Sequence, residues 1–246
     1  MAIQTERVQI SSDAGALGGY LARPEGDEAL PAVIVYMEIF GVNSHIRDVT
    51  ERVAAEGYVA IAPDYFHRTG PGVELGYDDA GMAEGMKLLG GLQADEMVAD
   101  AEATLAYLRG RSDVRADRIG AMGFCIGGHM TYLTACTTDI QVSAPFYGGG
   151  IAAPQGPGGG PSTLSRTSGI KGAILCLFGG QDAMIPADQV EAVRDAIADA
   201  GVRGEVAVYD DADHGFHCDQ RDSYNAAAAK DAWQRVTALF AAELKG

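Results

Sequence analysis

Short, nearly unbroken apolar runs alternate along this chain with segments whose apolar residues repeat every three to four positions. Six runs read as strands, at residues 31–37, 58–62, 118–124, 142–147, 173–178 and 205–209. A strand that is apolar throughout is one covered on both faces, as in a parallel sheet with helices above and below. Ahead of these, residues 7–10 and 18–22 flank Asp13-Ala-Gly and predict an antiparallel pair at one edge. Between the strands, Met97, Ala101, Thr104, Leu105 and Leu108 share one helical face, and Arg109-Gly110 marks its end. Val190, Val193 and Ile197 line a second helix, which Pro186 opens at its first turn. Ala229, Trp233, Val236 and Phe240 line a third. Strand and helix in alternation predict an α/β doubly wound sheet with right-handed crossovers. No internal repeat or linker divides the chain, so residues 1–246 are expected to form one domain.

Composition narrows the partners. The net charge of −16 argues against nucleic acid and against an anionic membrane surface, both of which require a basic face. No apolar stretch approaches the 18 or so residues needed to span a bilayer. The first residues, Met1-Ala-Ile-Gln-Thr-Glu, lack the basic and apolar regions of a signal peptide. The four cysteines, at 125, 136, 176 and 218, show neither C-x-x-C spacing nor a zinc-type Cys/His cluster. They are therefore expected to be reduced thiols in a cytoplasmic protein without a metal. Residues 148–161, rich in Gly and Pro, read as a flexible surface insertion, with a mobile lid as the alternative.

The strongest chemical signal is Gly123-Phe-Cys125-Ile-Gly-Gly128 between a predicted strand and a helix-like segment. It is the G-x-S-x-G nucleophile elbow with Cys in place of Ser. A nucleophile on so sharp a turn has a strained backbone, and the residues two before and two after it crowd together, which favours glycine. The turn points the N–H of Ile126 at a developing oxyanion, and the start of the helix favours a thiolate. Such a nucleophile needs a base, and the base an orienting acid, in that fold in the chain order nucleophile, acid, base. Asp182 follows the strand 173–178 and His214 follows the strand 205–209, where ligand-facing residues of open sheets collect. Asp188, Asp211 and Asp213 compete as the acid and His217 as the base. Order and placement make Cys125, Asp182 and His214 the leading triad. At the end of the first long strand, Glu38-Ile39-Phe40-Gly41 sits where this fold supplies the second oxyanion N–H, here that of Ile39. A carboxylate there would repel the developing charge, so Glu38 taken by itself belongs at a solvated strand end.

Together, Glu38-Ile-Phe-Gly41, Gly123-Phe-Cys125-Ile-Gly-Gly128, Gly180-Gln-Asp182 and His214-Gly-Phe216 resemble the dienelactone hydrolase (carboxymethylenebutenolidase) family. The resemblance spans residues 38–216 in the family's order. It implies an α/β-hydrolase fold, a mostly parallel central sheet with helices on both faces, and no metal or organic cofactor. It implies a Cys-dependent hydrolysis of a small lactone or activated ester through a thioester. It also implies that Glu38 takes part in the chemistry. The carboxylate holds the resting thiol away from the histidine and accepts its proton as the thiolate attacks.

The resemblance breaks at the substrate. The family binds the carboxylate of dienelactone with two arginines, which would fall near Met82 and at Cys218 here, and its aromatic pair would fall at Met86 and Leu89. Arg221 and Arg47 are the candidate replacements, although the composition of protein surfaces favours a solvated arginine at either place, and Phe40 and Tyr147 are the candidate pocket walls. A small-molecule substrate is expected, bound by a monomer or homodimer. The alternative is a non-catalytic small-molecule-binding protein on the same fold. A thiol redox enzyme using Cys125 with Cys136 or Cys218 is disfavoured by the missing C-x-x-C.

Overall fold

The computed structural model describes residues 2–246, so Met1, the first residue of the expected leaderless start, lies outside the described residues. The elements run in chain order as β1 (Ile3–Ser12), β2 (Gly15–Pro24), β3 (Leu30–Tyr36), α1 (Ser44–Ala55), β4 (Val59–Pro63), α2 (Asp79–Leu89), α3 (Ala94–Arg109), β5 (Val114–Phe124), α4 (Ile126–Thr137), β6 (Val142–Phe146), β7 (Ala173–Gly179), α5 (Ala187–Asp199), β8 (Gly204–Tyr209) and α6 (Ala226–Leu244). All eight strands join one sheet in the order β1-β2-β4-β3-β5-β6-β7-β8. Strands β3 to β8 are parallel, and β2 pairs antiparallel with both β1 and β4.

Burial follows the hydrophobic pattern. Every residue of β4, β6 and β7 is buried, as unbroken apolar runs require of strands covered on both faces. The edge strand β1 buries only Val8 and Ile10, two apart and therefore on one face. The predicted edge hairpin is present as β1 and β2, and the periodic segments around 97–108, 190–197 and 229–240 are α3, α5 and α6. Pro186 stands at the N-cap, one residue before the α5 helix it was expected to open from within.

Two further helices, α1 and α2, lie outside the predicted elements. The buried face of α1 includes His45 and Thr50 beside Ile46, Val49 and Val53, and its start is set by Asn43, whose side-chain oxygen accepts from the Ile46 N–H at 3.2 Å. The buried face of α2 is Gly81, Gly85 and Leu88. Glycine gives no hydrophobic signal, yet a Cβ on Gly85 would lie 2.7 Å from the Ile39 carbonyl oxygen, so this face is what lets α2 press against the 38–41 loop.

Parallel strands point their carboxyl ends the same way. The loops after β3, β5, β7 and β8, which carry Glu38, Cys125, Asp182 and His214, therefore gather on one rim of the sheet. The Gly/Pro-rich 148–161 segment is a packed insertion tied to α4 by His129. Burial lowers the pKa of His129, so the ring is neutral: Nδ1–H donates to the Gly149 carbonyl at 2.8 Å, and the Thr163 hydroxyl donates to Nε2 at 2.7 Å. The Leu164 N–H closes the base of the insertion on the Ile151 carbonyl at 3.0 Å. His129→Leu is expected to cost about 1–3 kcal/mol by orphaning both partners. Chemical denaturation measures the loss, and amide exchange should accelerate within 149–164 first.

Candidate active site

The elbow forms where β5 passes into α4. Cys125 has φ 58° and ψ −119°, a left-handed conformation that L residues avoid. Its N–H donates to the Phe146 carbonyl and its carbonyl accepts from the His129 N–H, both at 3.1 Å. The three flanking glycines are dictated by backbone contact. A Cβ on Gly123 would strike the Gly127 carbonyl, one on Gly127 the carbonyls of Tyr36 and Met37, and one on Gly128 the Phe146 carbonyl. Tyr147, at the end of β6, is the other non-glycine residue with positive φ among the described residues. Such residues cost roughly 1–3 kcal/mol each and persist where the surroundings enforce them. The buried Tyr147 ring stands edge-on to His214, centroids 5.1 Å apart, and its hydroxyl has no partner.

His214 and Asp182 meet across the ends of β8 and β7. His214 Nδ1–H donates to Asp182 Oδ2 at 2.7 Å, and Asp182 Oδ1 accepts from the Met184 N–H at 2.8 Å. They are 7% and 5% exposed. Asp188, Asp211 and Asp213, the competing acids, are exposed, and Asp213 reaches only the His214 backbone N–H. His217, the competing base, is buried flat against Phe124 with both ring nitrogens unpartnered, and burial pushes its pKa down to about 3. With Nδ1 committed to Asp182, His214 is left with a buried Nε2 that makes no hydrogen bond to the protein. Burial alone would lower the His214 pKa, but the hydrogen bond to Asp182 and the neighbouring Cys125 sulfur outweigh it and raise the pKa to about 10.

Glu38, expected by itself at a solvated strand end, is instead 0% exposed. The reason is a partner that strand-end logic does not supply: Arg221 Nη1 donates to Oε1 at 3.0 Å, and the Tyr77 hydroxyl donates to Oε2 at 3.1 Å. Arg221, also expected in solvent, lies over the rings of Phe40 and Tyr77 at 5.7 and 5.8 Å. Its guanidinium rests against Gly215, whose φ of 81° and missing side chain admit it. Both carboxylate oxygens are thus held by Tyr77 and Arg221, and no hydrogen bond joins Glu38 to Cys125 here. Phe40 is buried edge-to-face on Tyr77 at 4.5 Å. Arg47 turns away to Glu74 at 2.6 Å and takes no part. Tyr77, from the loop between β4 and α2, had no sequence signal.

Ile39 and Ile126 are buried residues, and among the described residues no hydrogen bond joins the N–H of either to a protein acceptor. Met82 and Met86, at the positions of a missing arginine and a missing aromatic, are 38% and 47% exposed on α2. Cys218, at the other arginine position, is buried. All four cysteines are free. Among the described residues, no helix is long and apolar enough to cross a membrane.

This sheet order, with a strained residue at the β5–α4 turn, defines an α/β-hydrolase. The model of the dienelactone hydrolase family matches residues 17–244, and the chain belongs to that family. It is 45% identical over 243 residues to a Synechocystis sp. protein named "Putative carboxymethylenebutenolidase", covering 99% of this chain and 98% of that one. It is 37% identical over 237 residues to an Escherichia coli protein of the same name, covering 94% and 84%. A crystal structure titled as a putative dienelactone hydrolase from Klebsiella pneumoniae superposes with a TM-score of 0.89 at 35% identity, over 98% of this chain and 99% of that one.

The raised His214 pKa has a stability consequence. A folded-state pKa above the unfolded value near 6.5 favours the folded state fully below about pH 6.5, and the contribution is lost as pH rises toward 10. Asp182→Asn is expected to lower the His214 pKa, read by NMR titration of the ring. Its stability deficit against the native protein should be largest at pH 6 and shrink by pH 10 in urea unfolding.

Proposed function

We propose that this protein hydrolyses small enol lactones or activated esters that carry an anionic group, through a Cys125 thioester. The observation that supports it most is a cysteine on a strained elbow beside the His214–Asp182 pair, with buried Glu38 and half-buried Arg221 paired next to it. Arg221 is a cation within the site, and an incoming carboxylate competes with Glu38 for it. As that bond loosens, Glu38 is freed to accept the Cys125 proton. The thiolate attacks the carbonyl carbon, and the Ile39 and Ile126 N–H groups hold the oxyanion. Collapse breaks the ring C–O bond and leaves a thioester and an enolate, which takes its proton from His214. Acylation also removes the sulfur charge that helped keep His214 protonated. The neutral ring then accepts a proton from water, the hydroxide equivalent attacks the thioester, and the acid departs. The thiolate recovers its proton from Glu38, so the catalyst is regenerated.

An enolate needs little protonation to leave, which suits a thiol enzyme to lactones and aryl esters and not to amides. Met82 and Met86 offer apolar contact at the rim where the family's other arginine would bind. One ionic anchor, not two, is therefore expected.

Cys125→Ala should abolish turnover of dienelactone and of neutral aryl esters alike in a spectrophotometric assay. Residual turnover at native rate would remove Cys125 from the chemistry. Glu38→Gln should lower kcat by about 10²–10⁴, the usual range for a proton-transfer group. Arg221→Met should raise KM for carboxylate-bearing lactones and leave the KM of neutral aryl esters near its native value. An equal effect on both classes would assign Arg221 to supporting Glu38 alone.

A further inference from the structure

We propose that Glu38, His45 and Cys218 form a binding site for one transition-metal ion of the Zn²⁺ type, and that the ion inhibits hydrolysis by occupying Glu38. A carboxylate oxygen, a ring nitrogen and a thiol sulfur from these residues lie within 4.8 Å of one another. They come from three separate places: the loop after β3, the first turn of α1, and the loop between β8 and α6. Spacing in the sequence therefore gives no zinc pattern, and none was expected.

A second observation points to a ligand. Both ring nitrogens of His45 are buried and unpartnered. A buried polar atom left unpaired costs about 1–3 kcal/mol, so a histidine retained in this state calls for something to satisfy it. Asp219 Oδ1 stands 3.9 Å from His45 Nδ1, too far for a hydrogen bond but close enough to orient the ring once it is ligated. The packing of His45 against Phe124, centroids 6.0 Å apart, fixes the ring between α1 and the elbow strand.

The donor set selects the ion. Thiolate, imidazole and carboxylate together suit Zn²⁺, whereas Mg²⁺ and Ca²⁺ prefer oxygen alone. Bonds of about 2.3 Å to sulfur and about 2.0 Å to nitrogen require the donors to draw together by roughly 1 Å, within the reach of side-chain rotation. Binding breaks the Cys218 S–H bond and forms a metal–sulfur bond, and the proton passes to solvent without redox change. The ion takes a Glu38 oxygen from Arg221 or Tyr77, and water fills the fourth position. The inhibitory half rests on the role of Glu38 proposed above, whereas the binding half rests on geometry alone.

The test uses the whole protein, freed of metal by chelator and titrated with Co²⁺, then with Zn²⁺ as competitor. The expected result is a thiolate-to-cobalt charge-transfer band that saturates at one equivalent. The band should survive Cys125→Ala and vanish in Cys218→Ala. His45→Phe keeps the aromatic packing and should weaken Zn²⁺ binding in calorimetry by more than the roughly 10–100-fold typical of losing an outer-shell partner. Circular dichroism and a thermal melt check that each variant is folded. No band in the native protein overturns the site. So does a band lost in Cys125→Ala but kept in Cys218→Ala, because the ion would then sit on Cys125 and His214. In turnover, Zn²⁺ should inhibit the native enzyme and spare Cys218→Ala. Binding at one equivalent with hydrolysis unchanged would overturn the inhibitory half and remove Glu38 from the mechanism, while the absence of hydrolysis under any condition would leave the cobalt band as the test of the site.

Discussion

The positive φ of Cys125 is the constraint on which the rest of the site hangs. It can exist only because Gly123, Gly127 and Gly128 let backbone meet backbone, and those contacts are made with the ends of β3 and β6 on either side. The start of α4 is thereby wedged between the Tyr36–Met37 carbonyls and the Phe146 carbonyl. This wedge sets the Ile126 N–H relative to Ile39 and brings Cys125 beside the His214 ring. Any side chain in the wedge forces a backbone shift rather than a rotamer change, because the opposing atoms are carbonyl oxygens of central strands.

The second feature is the ion pair of buried Glu38 with half-buried Arg221, whose members serve chemistry more than stability in the proposed mechanism. Taking Glu38 and Arg221 out of water is costly, and their attraction repays it only with good geometry and with every remaining lone pair satisfied. Tyr77 supplies the second hydrogen bond to Glu38, and the rings of Phe40 and Tyr77 flank the guanidinium. The pair is therefore closed in the resting protein and poised to open to whatever competes for either partner: an anion for Arg221, a proton or a cation for Glu38. A neutral pair of the same shape would be at least as stable and would respond to none of these.

The fold was legible because its signals are local. Unbroken apolar runs marked β3 to β8, and the elbow, the strand-end Asp182 and His214 followed from their places after those runs. Legibility failed where burial is achieved without hydrophobic residues. The α2 face uses two glycines, and the apolar stripe of Ile46, Val49 and Val53 on α1 also buries His45 and Thr50. It failed again at Glu38, whose burial depends on Arg221, 183 residues away, and on Tyr77 in an irregular loop. Counting positions from His214 led to Cys218 as the place of the missing arginine. The arginine that enters the site is three residues further on, and it does so because the loop turns back through Gly215 at positive φ. Sequence spacing fixes position along a chain, and in a loop that doubles back it says little about position in space.

The chain's overall charge gives Arg221 a further significance. At −16, the protein's field opposes the approach of an anionic substrate, and exposed lysines and arginines paired with surface carboxylates do little to offset it. A cation placed inside the site is screened far less by salt and acts at close range, where its interaction with a carboxylate is strongest. In the proposed mechanism, pairing Arg221 with Glu38 keeps that cation neutralised until a substrate arrives, and the energy of binding an anion is coupled to release of the carboxylate that takes the Cys125 proton. On that proposal one ion pair links recognition to activation. The same carboxylate is the point at which a competing cation, seated between His45 and Cys218, would interrupt both.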